Sequence, residues 1–104
     1  FTFPVDGRFT TAQRAVYEAV WEATLAVEGS MRPGVSYREM HLLAEKVLLE
    51  RMVEEGLFVG VVQEMIEARL MSYFMPHGLG HSLGLDVHDV GGYPPGESRH
   101  DEPR

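Results

Sequence analysis

The sequence has no cysteine. Disulfides, thiolate nucleophiles and cysteine-ligated metals are therefore excluded, and any metal would have to bind through His, Asp or Glu. The absence also fits a reducing compartment, and a cytoplasmic location is expected on that ground. Basic residues are scarce: 9 Lys and Arg stand against 16 Asp and Glu, a formal net charge of -7. A nucleic-acid surface wants a basic stripe and an anionic membrane attracts one, so neither partner is expected. No apolar run approaches the roughly 20 residues of a membrane-spanning helix. There is no internal repeat and no low-complexity tract. What remains is a 104-residue chain with 44% hydrophobic and 24% charged residues, the composition of one small globular unit with a modest core.

Local patterns divide the chain into a helical part and a glycine-rich part. Phe1 to Pro4 reads as the end of a strand, and Asp6-Gly7 as a turn. Thr10 with Gln13 predicts a capping box at the start of a helix. Ala12, Ala15, Val16, Ala19, Ala23 and Val27 recur at helical spacing to about Glu28, with Gly29 as the stop. Tyr17 and Trp21, four apart, share one side of it. After the Pro33-Gly34 turn, Ser36 with Glu39 predicts a second capping box. Met40, Leu43, Ala44, Val47 and Leu48 mark the next apolar stripe, closed by Gly56. A third, shorter helix is expected over 61–70. His41 is placed on the polar flank of the second helix, with a structural role only. From Ser72 onward the glycines and prolines are too dense for a helix, and short strands joined by turns are expected. The fold class is α+β. An opening strand end needs partner strands for its backbone groups, so the chain is expected to be a piece of a larger protein.

The chemistry concentrates in "MPHGLGHSLGLDVHDVGGYPP", Met75 to Pro95. His77 and His81 have the four-residue spacing of a helical zinc motif, but Gly78 and Gly80 between them argue against a helix and no glutamate stands where that motif needs one. The two imidazoles instead flank a flexible bend, where backbone can approach a ligand closely. If "GLDVHDV" is a strand, Asp86 and His88 face one side and Leu85 and Val87 the other. A carboxylate can orient an imidazole towards a metal, and an imidazole can shuttle protons. Spacing alone leaves two readings open: a polar loop of hydrogen-bonded turn residues, or part of a metal or catalytic site. Gly91, Gly92 and Pro94-Pro95 suggest an irregular loop, and Arg99 to Glu102 a solvated polar segment.

"FMPHGLGHSLGLDVHDVGGYPPG", together with "TFPVDGRFTTAQRAVYEAV" and "MRPGVSYREMH", resembles the pita-bread metallopeptidases. That family includes prolidase, aminopeptidase P, methionine aminopeptidase and creatinase, and the histidine block is specific to the prolidase and aminopeptidase P branch. The resemblance covers essentially the whole chain. It implies that residues 1–104 are the central piece of one C-terminal catalytic domain, incomplete at both ends. Its fold would have helices packed on mainly antiparallel strands. It implies an Xaa-Pro dipeptidase: hydrolysis of dipeptides with C-terminal proline by a water activated between two divalent metal ions, commonly Mn²⁺. It also implies a homodimer. Carried over by position, His81 is the metal ligand, His77 lines the substrate pocket, and His88 contacts the scissile carbonyl or the tetrahedral intermediate. Asp86 and Asp89 support the loop.

The family's site uses two aspartates, one histidine and two glutamates, of which only His81 falls within this chain. One imidazole does not hold two divalent ions against water, so the 104 residues alone are expected to be inactive. Their uncovered apolar stripes are expected to make them associate. Two alternatives follow from the same resemblance: an Xaa-Pro aminopeptidase (aminopeptidase P), or a non-catalytic pita-bread protein that binds partners.

Overall fold

The computed structural model describes residues 1–91; the expectations for Gly92, Pro94-Pro95 and Arg99 to Glu102 lie outside the described residues. Two long helices form the body. α1 spans Thr11–Ser30 and α2 spans Tyr37–Glu54, followed by a short α3, Val62–Glu67, and a 3₁₀ turn, Leu70–Tyr73.

Both expected capping boxes are present. The Thr10 hydroxyl accepts from the Gln13 N–H at 3.2 Å while Gln13 Oε1 accepts from the Thr10 N–H at 2.9 Å. Ser36 and Glu39 repeat the arrangement at 3.1 and 2.7 Å. Each box satisfies two donors that a helix start leaves without intrahelical partners. α2 ends as Gly56 predicts. The Gly56 N–H donates to the Val53 carbonyl, the Leu57 N–H donates to the Met52 carbonyl, and Gly56 takes φ +74°. That left-handed cap suits glycine. α1 runs past the expected stop to Ser30, because Gly29 stays helical and the Met31 N–H still reaches the Val27 carbonyl at 3.0 Å.

Ala15, Ala19, Ala23 and Val27 are the buried stripe of α1. Four-residue spacing puts them in one line, and their small side chains let α2 approach closely. One core cluster joins Ala19 and Ala23 to Leu48, Leu49 and Met52 of α2, Met65 of α3 and Met71 of the 3₁₀ turn. A second joins Val27 to Met40 and Ala44, with Val35, Leu43 and Leu79 packed against it. The outer face of α1 stays uncovered: Val16, Val20, Trp21 and Leu25 are exposed. Phe1 folds back so that its ring lies 5.5 Å from Trp21 and 6.4 Å from Tyr17, the pair expected on one side of the helix.

Three expectations need correction. No strand forms among the described residues, so the strand half of the α+β expectation is not seen in them. A strand exists only through a ladder to a neighbour, whereas the bonds of the glycine-rich segment close locally, Asp89 N–H to the Ser82 carbonyl and Gly84 N–H to the Asp86 carbonyl. The third helix is broken: α3 stops at Glu67, and Arg69 adopts the left-handed region at φ 56°, ψ 37° before the 3₁₀ turn begins. His41 is not on a polar flank but buried, 1% exposed, beside Glu45. The i,i+4 partner satisfies one ring nitrogen, and that contact is what permits a polar residue in this stripe.

Candidate functional site

The 3₁₀ turn delivers the chain to the histidine segment. The Met71 carbonyl accepts from the Phe74 and Met75 N–H groups at 3.0 and 2.7 Å, and Met75 packs against the first core cluster. Pro76 and His77 follow at once. Beyond them two contacts bind the segment to α2. Leu79 packs on the second cluster beside Met40 and Ala44, and the Gly80 N–H donates to the Tyr37 hydroxyl. A Cβ on Gly80 would lie 3.4 Å from that hydroxyl, and one on Gly78 would lie 3.8 Å from it. The glycines thus admit a protein hydroxyl to the backbone between the two histidines.

The three histidines are exposed. His77 Nδ1 lies 2.8 Å from the Gly78 carbonyl oxygen and His81 Nδ1 lies 3.0 Å from that of Ser82. A carbonyl only accepts, so both rings donate from Nδ1, and in a neutral ring this leaves Nε2 as the nitrogen that can bind a metal or accept a proton. His88 stands edge-on to His81, ring centroids 4.1 Å apart at 83°. His77 forms no ring contact with this pair comparable to that between His81 and His88.

Asp89 builds the turn that returns His88 to His81. Its Oδ1 accepts from the Val90 N–H at 2.8 Å, its Oδ2 from the Asp86 N–H at 3.4 Å, and its own N–H donates to the Ser82 carbonyl at 3.0 Å. A Cβ on Gly84 would meet Asp89 Oδ2 at 2.0 Å, which explains glycine there. Residues 84–88 are a run of bends rather than a strand, so the alternating faces expected of Asp86, His88, Leu85 and Val87 do not arise. Leu85 and Val87, placed on the opposite face in that reading, are exposed, as are Leu83 and Val90. No layer of the described residues lies behind them.

Among the described residues, no group of three or more His, Asp or Glu side chains is gathered where it could hold a metal ion. The donor set present is His81 and its neighbour His88. Two imidazoles without carboxylates do not fit a pair of divalent ions. No helix of the described residues is long and apolar enough to cross a membrane.

Sequence reasoning missed Tyr37, Leu79 and the buried His41–Glu45 pair. The pair had a readable signal, two polar residues four apart within an apolar stripe. Tyr37 had none, because its contact spans 43 positions.

Comparison with known proteins supplies the context. The model of metallopeptidase family M24 matches residues 1–103. The human Xaa-Pro dipeptidase is 54% identical over 102 residues, 98% of this chain and 21% of that protein. The probable Xaa-Pro aminopeptidase pepP of Botryotinia fuckeliana is 44% identical over 93 residues, 89% of this chain and 20% of that protein. Among solved structures, Pseudomonas aeruginosa aminopeptidase PepP superposes with a TM-score of 0.82 at 41% identity, covering 90% of this chain and 21% of its own. Proline aminopeptidase P II from Yersinia pestis gives 0.82 at 43%, covering 92% and 22%. The chain spans about a fifth of the length of the relatives it matches.

Proposed function

The chain belongs to metallopeptidase family M24, and on that premise we propose that it is a central portion of the catalytic domain of a metal-dependent Xaa-Pro dipeptidase. The observation that carries the reading is the identity of 54% to a dipeptidase over 98% of the chain, against 44% over 89% for an aminopeptidase relative. Membership of the family implies divalent metal ions; Mn²⁺ is the proposed pair. The substrate is a dipeptide with C-terminal proline. A cytoplasmic homodimer is the proposed state of the complete protein, with neither nucleic acid nor membrane as a partner.

In this reading His81 is the metal ligand, His77 lines the substrate pocket, and His88 meets the scissile carbonyl and the oxyanion that forms from it. The Nδ1 contacts of His77 and His81 to backbone carbonyls support the first two roles, since they hold each Nε2 free for an incoming group. The perpendicular approach of His88 to His81 supports a shared substrate for those two rings. Asp89 supports the loop through its three backbone contacts.

The test is hydrolysis of Gly-Pro set against a longer peptide with proline in second position, by the full-length protein. The dipeptidase reading expects turnover of Gly-Pro. Turnover of the longer peptide alone would favour the aminopeptidase reading, and turnover of neither would favour a binding protein.

A further inference from the structure

A second polar cluster lies apart from the histidine loop. His41 and Glu45, one turn apart on α2, are each 1% exposed in a core otherwise made of Ala, Val, Leu and Met. His41 Nε2 donates to Glu45 Oε1 at 2.9 Å, and an Arg69 guanidinium nitrogen lies 3.6 Å from the same oxygen. His41 Nδ1 and Glu45 Oε2 are buried with no hydrogen-bond partner. Such a cluster is a poor way to stabilise a helix pair, since apolar side chains of similar volume usually do as well or better. Among the described residues, its one ion pair beyond α2 is to Arg69.

Arg69 is the only non-glycine residue with positive φ among the described residues. Arginine gains nothing intrinsically from that region, where glycine or asparagine is at home. The pull of Glu45 on the guanidinium supplies the missing reason. The turn made there is transmitted stepwise. The Arg69 carbonyl accepts from the Ser72 N–H at 3.1 Å and the Ser72 hydroxyl at 2.7 Å, and Met71 then holds Phe74 and Met75. Pro76 and His77 are next, so a change of angle at Arg69 is carried to the histidine segment.

We propose that His41, Glu45 and Arg69 form a buried positioning device that aims the segment carrying His77 and His81. The proposal rests on the reading of that segment as a wall of the dipeptidase site, and adds positioning residues to it.

The experiment uses the full-length protein with Arg69→Gly, Arg69→Lys and Glu45→Gln. It reads kcat and KM on Gly-Pro together with amide hydrogen exchange over 75–81, referenced to α1. Glycine accepts the left-handed turn, so Arg69→Gly permits the same backbone while removing the whole side chain, and Glu45→Gln removes the charge contact without altering the turn residue. Exchange over 75–81 should rise about tenfold and kcat should fall about tenfold with KM within about twofold, the size of a lost contact to a buried charged group. Arg69→Lys should restore both to within about threefold, because the charge is kept. Glu45→Gln should match Arg69→Gly without touching the turn's backbone, and the double variant should be no worse than either single one. Wild-type exchange and kcat in both Arg69→Gly and Glu45→Gln would overturn the proposal. So would an Arg69→Lys variant as damaged as Arg69→Gly, or a loss of protection spread equally into α1. A wild-type protein that does not cleave Gly-Pro would sink the dipeptidase reading instead, and the exchange data would still decide the positioning.

Discussion

The helical body and the histidine segment both carry many apolar side chains, yet they use them oppositely. In the body, Ala19, Leu49 and their neighbours close on one another and leave almost no surface. In the segment, Leu83, Leu85, Val87 and Val90 face outward while the backbone is held by Asp89, Tyr37 and Leu79. The difference teaches which region is self-sufficient. On their facing sides α1 and α2 supply each other's cover, while the outer face of α1 stays exposed; the segment is placed from outside itself, chiefly by α2. That one helix presents Tyr37, Met40 and Ala44 to the loop and buries His41 and Glu45 behind the turn that precedes it. In the proposed reading, site chemistry would sit on the exposed segment and site geometry on the helix.

The largest effect should come from Leu49→Ala, which removes the most deeply buried large side chain, 0% exposed. It should cost about 2–5 kcal/mol. Thermal unfolding of the body and loss of order in the histidine segment should move together, since the platform goes with the core. A loop that kept its exchange protection while the body melted would break the comparison. Asp89→Ala comes next and should act in reverse. Removing its carboxylate contacts should lower turnover of the full-length protein by about tenfold, with the midpoint of thermal unfolding unmoved.

Cap substitutions sharpen the point further. Ser36→Ala and Thr10→Ala should each cost about 1 kcal/mol. Only Ser36→Ala, at the α2 terminus next to Tyr37, should raise exchange over 75–81; equal effects from the two would deny α2 its special role. The smallest effect concerns acid. The Ser36 N–H and then the Ser36 hydroxyl contact hold the Glu39 carboxyl below its ordinary pKa. A depressed carboxylate stabilises the fold above its unfolded pKa, and that contribution is lost as pH falls through the lower, folded value. Glu39→Gln keeps a capping acceptor without titrating. The stability of α2 should therefore lose part of its acid dependence in this variant, as read by helix circular dichroism from neutral to acidic pH.

The helices are readable in the sequence because their determinants are local. Thr10 with Gln13, Ser36 with Glu39, and Gly56 all act within a few residues. The break at Arg69 is not readable locally, and the carboxylate that its guanidinium approaches, Glu45, lies 24 positions earlier. The burial of His41 depends on the same partnership. At the site, the residue types and the family resemblance point to His77, His81 and His88, and the supporting role read for Asp89 matches its backbone contacts. The pattern of the glycine-rich segment predicts strands where none forms in residues 1–91, because period-two patterning reports a strand's preference and not the presence of a neighbour to pair with.

The central proposal is that His77, His81 and His88 form one wall of a dipeptidase site whose further metal ligands come from elsewhere in the complete protein. The most direct measurement is Gly-Pro hydrolysis with added Mn²⁺, by the full-length protein and by the purified 104-residue chain side by side. The account predicts turnover by the first and none by the second. Turnover by the 104-residue chain, or none by the full-length protein with His81 intact, would contradict it.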